Sequence, residues 1–145
     1  MITSTPYYHT AKKLLELSLA DNSTNFYMLL HDGTRAFNPS DIVLNATGEV
    51  FGNGWPENGV NLTNLVISTV NTNEAMIDCD DITTTASGGV IQATHAIIYL
   101  DEGGLGTTLT PLWSIDFGGQ VGAPDGEPLV IAIHANGLLS GAFTA

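Results

Sequence analysis

Only one stretch of this chain has the period of a helix, and almost everything after it alternates. Within residues 7–20, Ala11, Leu14, Leu15 and Leu19 recur at i, i+3, i+4 and i+8, which lines them on one helical face. Asp21-Asn22-Ser23 then ends the segment. From Asn25 the period drops to two. Phe26, Met28 and Leu30 alternate with Asn25, Tyr27 and Leu29, giving a strand apolar on both faces that stops at the turn signal His31-Asp32-Gly33-Thr34. Further strands are predicted over 61–70, 74–79, 94–100, 111–117 and 129–135, with Asn136-Gly137 as a hairpin turn into 138–143. The alternation of Trp113, Ile115 and Phe117 with Leu112, Ser114 and Asp116 is the cleanest. A parallel sheet needs crossover helices, and the sequence offers no second one. The expected fold is therefore mainly all-β, an antiparallel β-sandwich or jelly-roll-like architecture with one short N-terminal helix. Residues 1–24 form the arm and helix, and residues 25–145 the β-sandwich domain of a single globular unit.

Two linking segments have turn chemistry of their own. Phe37-Asn38-Pro39-Ser40-Asp41 favours irregular backbone over a ladder, and residues 42–44 read either as a helical turn or as the start of a strand. Residues 49–60 carry three glycines and a Trp-Pro pair, so they predict a turn-rich crossing between strands. Gly52, Gly54 and Gly59 are its expected positions of positive φ or close backbone approach.

Charge narrows the partners. All three Lys and Arg residues lie within the first 35 positions, and the net charge is −12, so residues 36–145 hold twelve carboxylates and no Lys or Arg. Phosphate contacts depend on cations for counterion release, which argues against nucleic acid, and the same repulsion argues against an anionic membrane surface. Eighteen consecutive apolar residues do not occur, so no membrane-spanning helix is expected. Glu16 interrupts the leucines near the N-terminus, so no secretion signal is expected there and the cytosol is the expected site of synthesis. The single Cys79 excludes an intrachain disulfide and reads as a buried, inert thiol with no basic neighbour in sequence.

The chemistry-bearing residues are scattered. Asp78, Asp80 and Asp81, joined by Asp101 and Glu102 from a neighbouring strand, would suit Ca²⁺, yet they lack the spacing of an EF-hand loop, and Asp and Asn also gather at strand ends as turn formers. His9, His31, His95 and His134 stand singly, with no i, i+2 or i, i+4 pair, so no metal is assigned. A nucleophile elbow is missing, Gly52-Asn53-Gly54 precedes no helix that would cradle phosphate, and Asp116 with Glu127 is one of many carboxylate pairs that fifteen acids permit. No enzyme activity, catalytic residue or cofactor is expected. Trp113 reads as core. Trp55, in its glycine-rich turn, reads as a ring that stacks on a sugar or plugs a partner's pocket. Lys12, Lys13, Arg35 and Trp55 are the candidate interface residues, the three cations forming one end that could dock by charge.

The order of the segments carries a resemblance. Val50-Phe51-Gly52-Asn53-Gly54-Trp55, the run ending in Asp78-Cys79-Asp80-Asp81-Ile82-Thr83, then Thr94-His95-Ala96-Ile97-Ile98-Tyr99, Pro111-Leu112-Trp113-Ser114-Ile115-Asp116-Phe117-Gly118 and Ala135-Asn136-Gly137-Leu138-Leu139 resemble a family of small tailed-phage and prophage virion proteins. It departs from that family at Thr84, near where relatives tend to carry Trp. The resemblance implies a virion structural component. The expectation is a capsid decoration (cement) protein on the outside of the head, bound to the major capsid protein as a homotrimer at threefold positions. A tail or fibre-associated adaptor and a carbohydrate-binding domain are the alternatives. A high |net charge| suits a protein that must stay soluble in many copies before it docks.

Overall fold

A computed structural model describes residues 3–7, 25–71, 74–101, 109–133 and 139–142. Through them run β1 (Thr3–Pro6), β2 (Phe26–His31), β3 (Glu49–Val50), β4 (Val60–Asn61), β5 (Val66–Asn71), β6 (Glu74–Asp78), β7 (Ile82–Thr85), β8 (Ile91–Asp101), β9 (Leu109–Ala123), β10 (Pro128–Ile131) and β11 (Leu139–Ala142). The main sheet has the order β1-β9-β8-β2-β3, with β4 also on β2, and a two-stranded sheet β10-β7 and a three-stranded sheet β11-β6-β5 accompany it. Every pairing is antiparallel, as short turns between alternating strands require.

The expected helix falls on residues 8–20, outside the described residues, except for Tyr7. Tyr7 is not helical: its N–H donates to the Leu112 carbonyl at 2.9 Å, prolonging the pairing of β1 with β9. Thr3–Pro6 is thus an edge strand that the sequence pattern did not announce, built on Thr3, Thr5 and a proline at its end, where the missing N–H costs no ladder bond.

β2 shows why this sheet is thick on both sides. Phe26, Met28 and Leu30 face Ala96, Ile98 and Leu100 of β8 and Trp113 and Ile115 of β9 in one core, which also takes in Ile82 of β7, Leu129 of β10, Leu62, Trp55 and Ile91. The intervening Leu29 turns to the opposite face, where Ile97, Tyr99, Tyr27, Leu44 and Leu109 form a second, smaller cluster, with the Tyr27 and Tyr99 rings stacked at 5.5 Å. Each fully buried aliphatic side chain in these layers stabilises the fold by about 1.5–3 kcal/mol. The second face is roofed by a loop, residues 32–48, closed at its base by Asp32 N–H to the Gly48 carbonyl and tied to the sheet by Leu44 N–H to the Leu109 carbonyl.

Two expectations are corrected by the pairing, and one strand is added. The strand expected over 61–70 is two strands, because Leu62 N–H bonds the Phe26 carbonyl and Asn64 takes a φ of 51°, which turns the chain between β4 and β5. The added strand, β7, occupies Ile82–Thr85, a Thr-rich run with no apolar alternation to predict it. The Asn136-Gly137 turn lies outside the described residues, and the strands expected to flank it do not pair with each other: β10 pairs with β7 and β11 with β6.

The crossing at 49–60 follows its glycines. Gly52, Gly54 and Gly59 all have positive φ, at 90°, 99° and 80°. Gly52 and Trp55 exchange both backbone hydrogen bonds around Asn53-Gly54, a two-residue turn with positive φ at both central positions. Only glycine serves at Gly54, since a Cβ there would sit 2.4 Å from the Thr85 carbonyl oxygen.

Candidate functional site

The expected interface residues part company. Lys12 and Lys13 lie outside the described residues. Trp55 is in the core at 1% exposure, so the expectation of a surface ring is corrected. The cause is local: Asn53 Nδ2 donates to the Val90 carbonyl at 2.8 Å and Ser87 N–H to the Asn53 carbonyl at 2.8 Å, folding the turn inward onto the β7–β8 connection. The indole Nε1 has no hydrogen-bond partner, which fits a ring kept for its apolar bulk.

Arg35 is not a free docking cation either. Its Nη2 lies 2.5 Å from Asp41 Oδ2 in a partly buried ion pair. Asp41 also accepts from Asn38 Nδ2 at 3.0 Å through Oδ1, while its N–H bonds the Asn38 carbonyl at 3.1 Å and Ser40 N–H bonds Asn38 Oδ1 at 3.1 Å. These bonds make a stiff knuckle at 38–41. The next two residues, Ile42 and Val43, are 70% and 57% exposed. Expected as a helical turn or a strand start, residues 42–44 are neither; Ile42 and Val43 are the outward tip of the roof loop, and Leu44 packs back onto the second cluster.

The aspartates form strand-end contacts. Asp78 accepts from Cys79 N–H at 2.9 Å, Asp80 from Asn64 Nδ2 at 2.6 Å and Thr63 Oγ1 at 3.2 Å, and Asp81 from Ile133 N–H at 2.7 Å. Among the described residues no three His, Cys, Asp or Glu side chains are grouped to hold a metal ion. Cys79 is buried, and burial, followed by Asp78, Asp80 and Asp81, pushes its thiol up to about 11. The thiol is inert at neutral pH.

What sequence reading missed is a polar row that runs across the main sheet. Cα register places Glu49 of β3 opposite His31 of β2, His31 opposite His95 of β8, and His95 opposite Asp116 of β9. The two imidazoles stack with centroids 4.9 Å apart and planes 25° apart. His95 Nε2 lies 3.8 Å from Asp116 Oδ2, and its Nδ1 is 2.7 Å from Thr94 Oγ1. His31 is buried at 7% exposure, and Gly33 N–H donates to its Nδ1 at 3.2 Å, which places the ring proton on Nε2. Gly33 has a φ of 79° and lies so close to Thr94 and His95 that a Cβ would be 2.8 Å from Thr94 Oγ1. Burial first, then the neighbouring His95, holds the His31 imidazole down at about 4, against a smaller opposing effect of Asp32. Asp32 accepts from the hydroxyl and N–H of Thr34, and these bonds hold its carboxyl below the usual range.

This row is badly arranged for a metal. Coordination at His31 Nε2 would move the ring proton to Nδ1, directly against the Gly33 N–H. A cavity of about 10 Å³ beside it, lined by Tyr7, His31, Arg35, Phe37, Ile97 and Ser114 among others, has room for one water. An open groove of about 290 Å³ elsewhere, along Gln92, Gln120 and Gly122 with Val90 and Pro124 at its rim, carries no acid, base or nucleophile. Compared with protein-family models, with curated proteins and with solved structures, the chain has no match in any of the three.

Proposed function

We propose that this protein is a non-enzymatic docking component of a tailed-phage virion, a capsid decoration (cement) protein that binds the major capsid protein on the outer surface of the head. The assignment to a phage head rests on the ordered motifs of the resemblance. The docking role rests on the tip of the roof loop. There Arg35, Asn38 and Asp41 spend an ion pair and several hydrogen bonds on stiffening a knuckle whose exposed end is Ile42-Val43. Two β-branched side chains held in water on a braced mount are ready to bury area on a partner with little entropy left to lose.

The finer architecture belongs to this reading: a sandwich or jelly roll in which the β10-β7 pair covers the main sheet, supported by the shared core of Ile82, Leu129, Met28 and Ile98. Charge is consistent with it. Arg35, the one Lys or Arg among the described residues, is neutralised by Asp41, so the described surface has an acidic character that favours solubility before docking and keeps the protein away from packaged DNA. A homotrimer at threefold positions, synthesis in the host cytoplasm and final residence in the virion complete the proposal.

Immunogold labelling of purified particles tests it. Gold over the head supports the cement role; gold confined to tails or fibres replaces it with the adaptor reading. The carbohydrate-binding alternative has lost its aromatic platform, because Trp55 is in the core.

A further inference from the structure

We propose that the His31–His95 pair is an acid-operated latch for the roof loop: protonation of His31 releases residues 32–48 from the second face of the main sheet and uncovers Leu29, Ile97 and Tyr99. The inference goes beyond the docking role and stands without it.

The latch is geometric. The Gly33 N–H needs a lone pair on His31 Nδ1, and the first residues of the loop are held on the sheet by that bond and by the close seat of Gly33 on Thr94 and His95; the second tie, Leu44 N–H to the Leu109 carbonyl at 2.8 Å, has to open after it. A proton added to the ring goes onto Nδ1, the one nitrogen with a free pair. Two N–H donors then point at each other, the bond is lost, and a buried cation faces the His95 ring at 4.9 Å. Gly33 is the element that can yield, since the sheet pairing of His31 with His95 is continuous along β2 and β8.

The surrounding charges do not remove this conflict. His95 on β8 and Arg35 on the loop oppose a charge on His31, and Asp32 beside it favours one, but the Asp32 carboxylate is engaged by Thr34. Arg35 is itself held by Asp41. On β3, Glu49 turns its carboxylate to Asn58 N–H at 2.6 Å, and on β9 Asp116 answers His95 and the Gly118 N–H at 2.8 Å. Tyr7, across the cavity, stays a neutral phenol, raised to about 12 by burial, then by Asp41. Among the described residues the carboxylates of Asp32, Glu49 and Asp116 each already hold a partner of their own.

Hydrogen exchange on the full chain at pH 7 and pH 4, corrected for intrinsic rates, tests the latch, with His31→Asn as the comparison. The Asn Oδ1 stands where His Nδ1 stood and accepts from Gly33 but takes no proton. The expected result is a loss of about tenfold or more in protection over 32–48 at pH 4, with β8 and β9 amides unchanged, and no such loss in the variant. Equal protection at both pH values, a loss spread evenly over β8 and β9, or the same loop opening in His31→Asn would overturn it. Should the variant not fold, the imidazole nitrogen shifts of the wild type decide: an Nε2–H tautomer at pH 7 is expected, and an Nδ1–H tautomer contradicts the latch.

Discussion

Asn53 reaches across the fold to Val90, its Nδ2 donating to the Val90 carbonyl at 2.8 Å, and that bond sets the direction of the whole turn containing Trp55. Asn53 itself has a φ of 53°, a conformation that asparagine tolerates and most residues resist. Replacing Asn53 with Ala should cost about 1–2 kcal/mol by urea unfolding, from the lost bond and the backbone strain together. Gly54→Ala should cost more, about 2–4 kcal/mol, because its Cβ meets a backbone atom, the carbonyl oxygen of Thr85, which cannot swing aside as the end of a side chain could.

Trp55→Ala should destabilise by about 3–5 kcal/mol, as expected for emptying a buried aromatic site. Trp55→Phe should cost clearly less, because the indole N–H it deletes has no partner to lose. Unfolding midpoints of the two variants give the comparison. A Phe variant as unstable as the Ala variant would mean that the N–H is satisfied in solution.

Acid should weaken the fold through His31. Its folded-state value of about 4 lies below the ordinary 6.5, so the unfolded chain takes up the proton first as the pH falls. The stability it contributes is fully present above 6.5 and is lost on descent to about 4, a total of about 3 kcal/mol. Glu49, raised by burial, works in the opposite sense over the carboxylate range. Urea unfolding at pH 7, 5.5 and 4.5 should show this slope in the wild type and a shallower one in His31→Asn.

Breaking the knuckle should loosen the roof loop without unfolding the sheet. Asp41→Ala removes the partner of Arg35 and the acceptor of Asn38, at an expected cost of about 1 kcal/mol for a partly exposed pair. Limited proteolysis should then cut within residues 35–47 well before the wild type is cut there, while far-UV circular dichroism stays unchanged.

What could be read in advance was whatever depended on near neighbours. The two-faced strand at Phe26–His31 follows from consecutive apolar residues, and the positive φ values of Gly52, Gly54 and Gly59 follow from turn chemistry within a few positions. Trp55 defeated the same reasoning: a Trp in a glycine-rich turn looks alike whether it points out or in, and the deciding contacts come from Val90 and Ser87. The histidine row was invisible for the same reason, since Glu49, His31, His95 and Asp116 meet only through the register of four strands. Strand partners were equally illegible. A hairpin-type turn signal at Asn136-Gly137 favours local pairing, yet β11 joins β6, a choice made by long-range packing.

Counting copies bound to purified heads addresses the proposed role head-on. Heads assembled from a tailed-phage major capsid protein, the proposed partner, are mixed with this chain and pelleted, and bound protein is quantified for the wild type and for Ile42→Asp/Val43→Asp, whose exposed positions should leave folding intact. The expected result is saturable binding at a number on the order of hundreds per head, set by shell symmetry, and loss of that binding in the double variant. No wild-type protein in the pellet, or equal binding by a folded double variant, would contradict docking through the Ile42-Val43 tip.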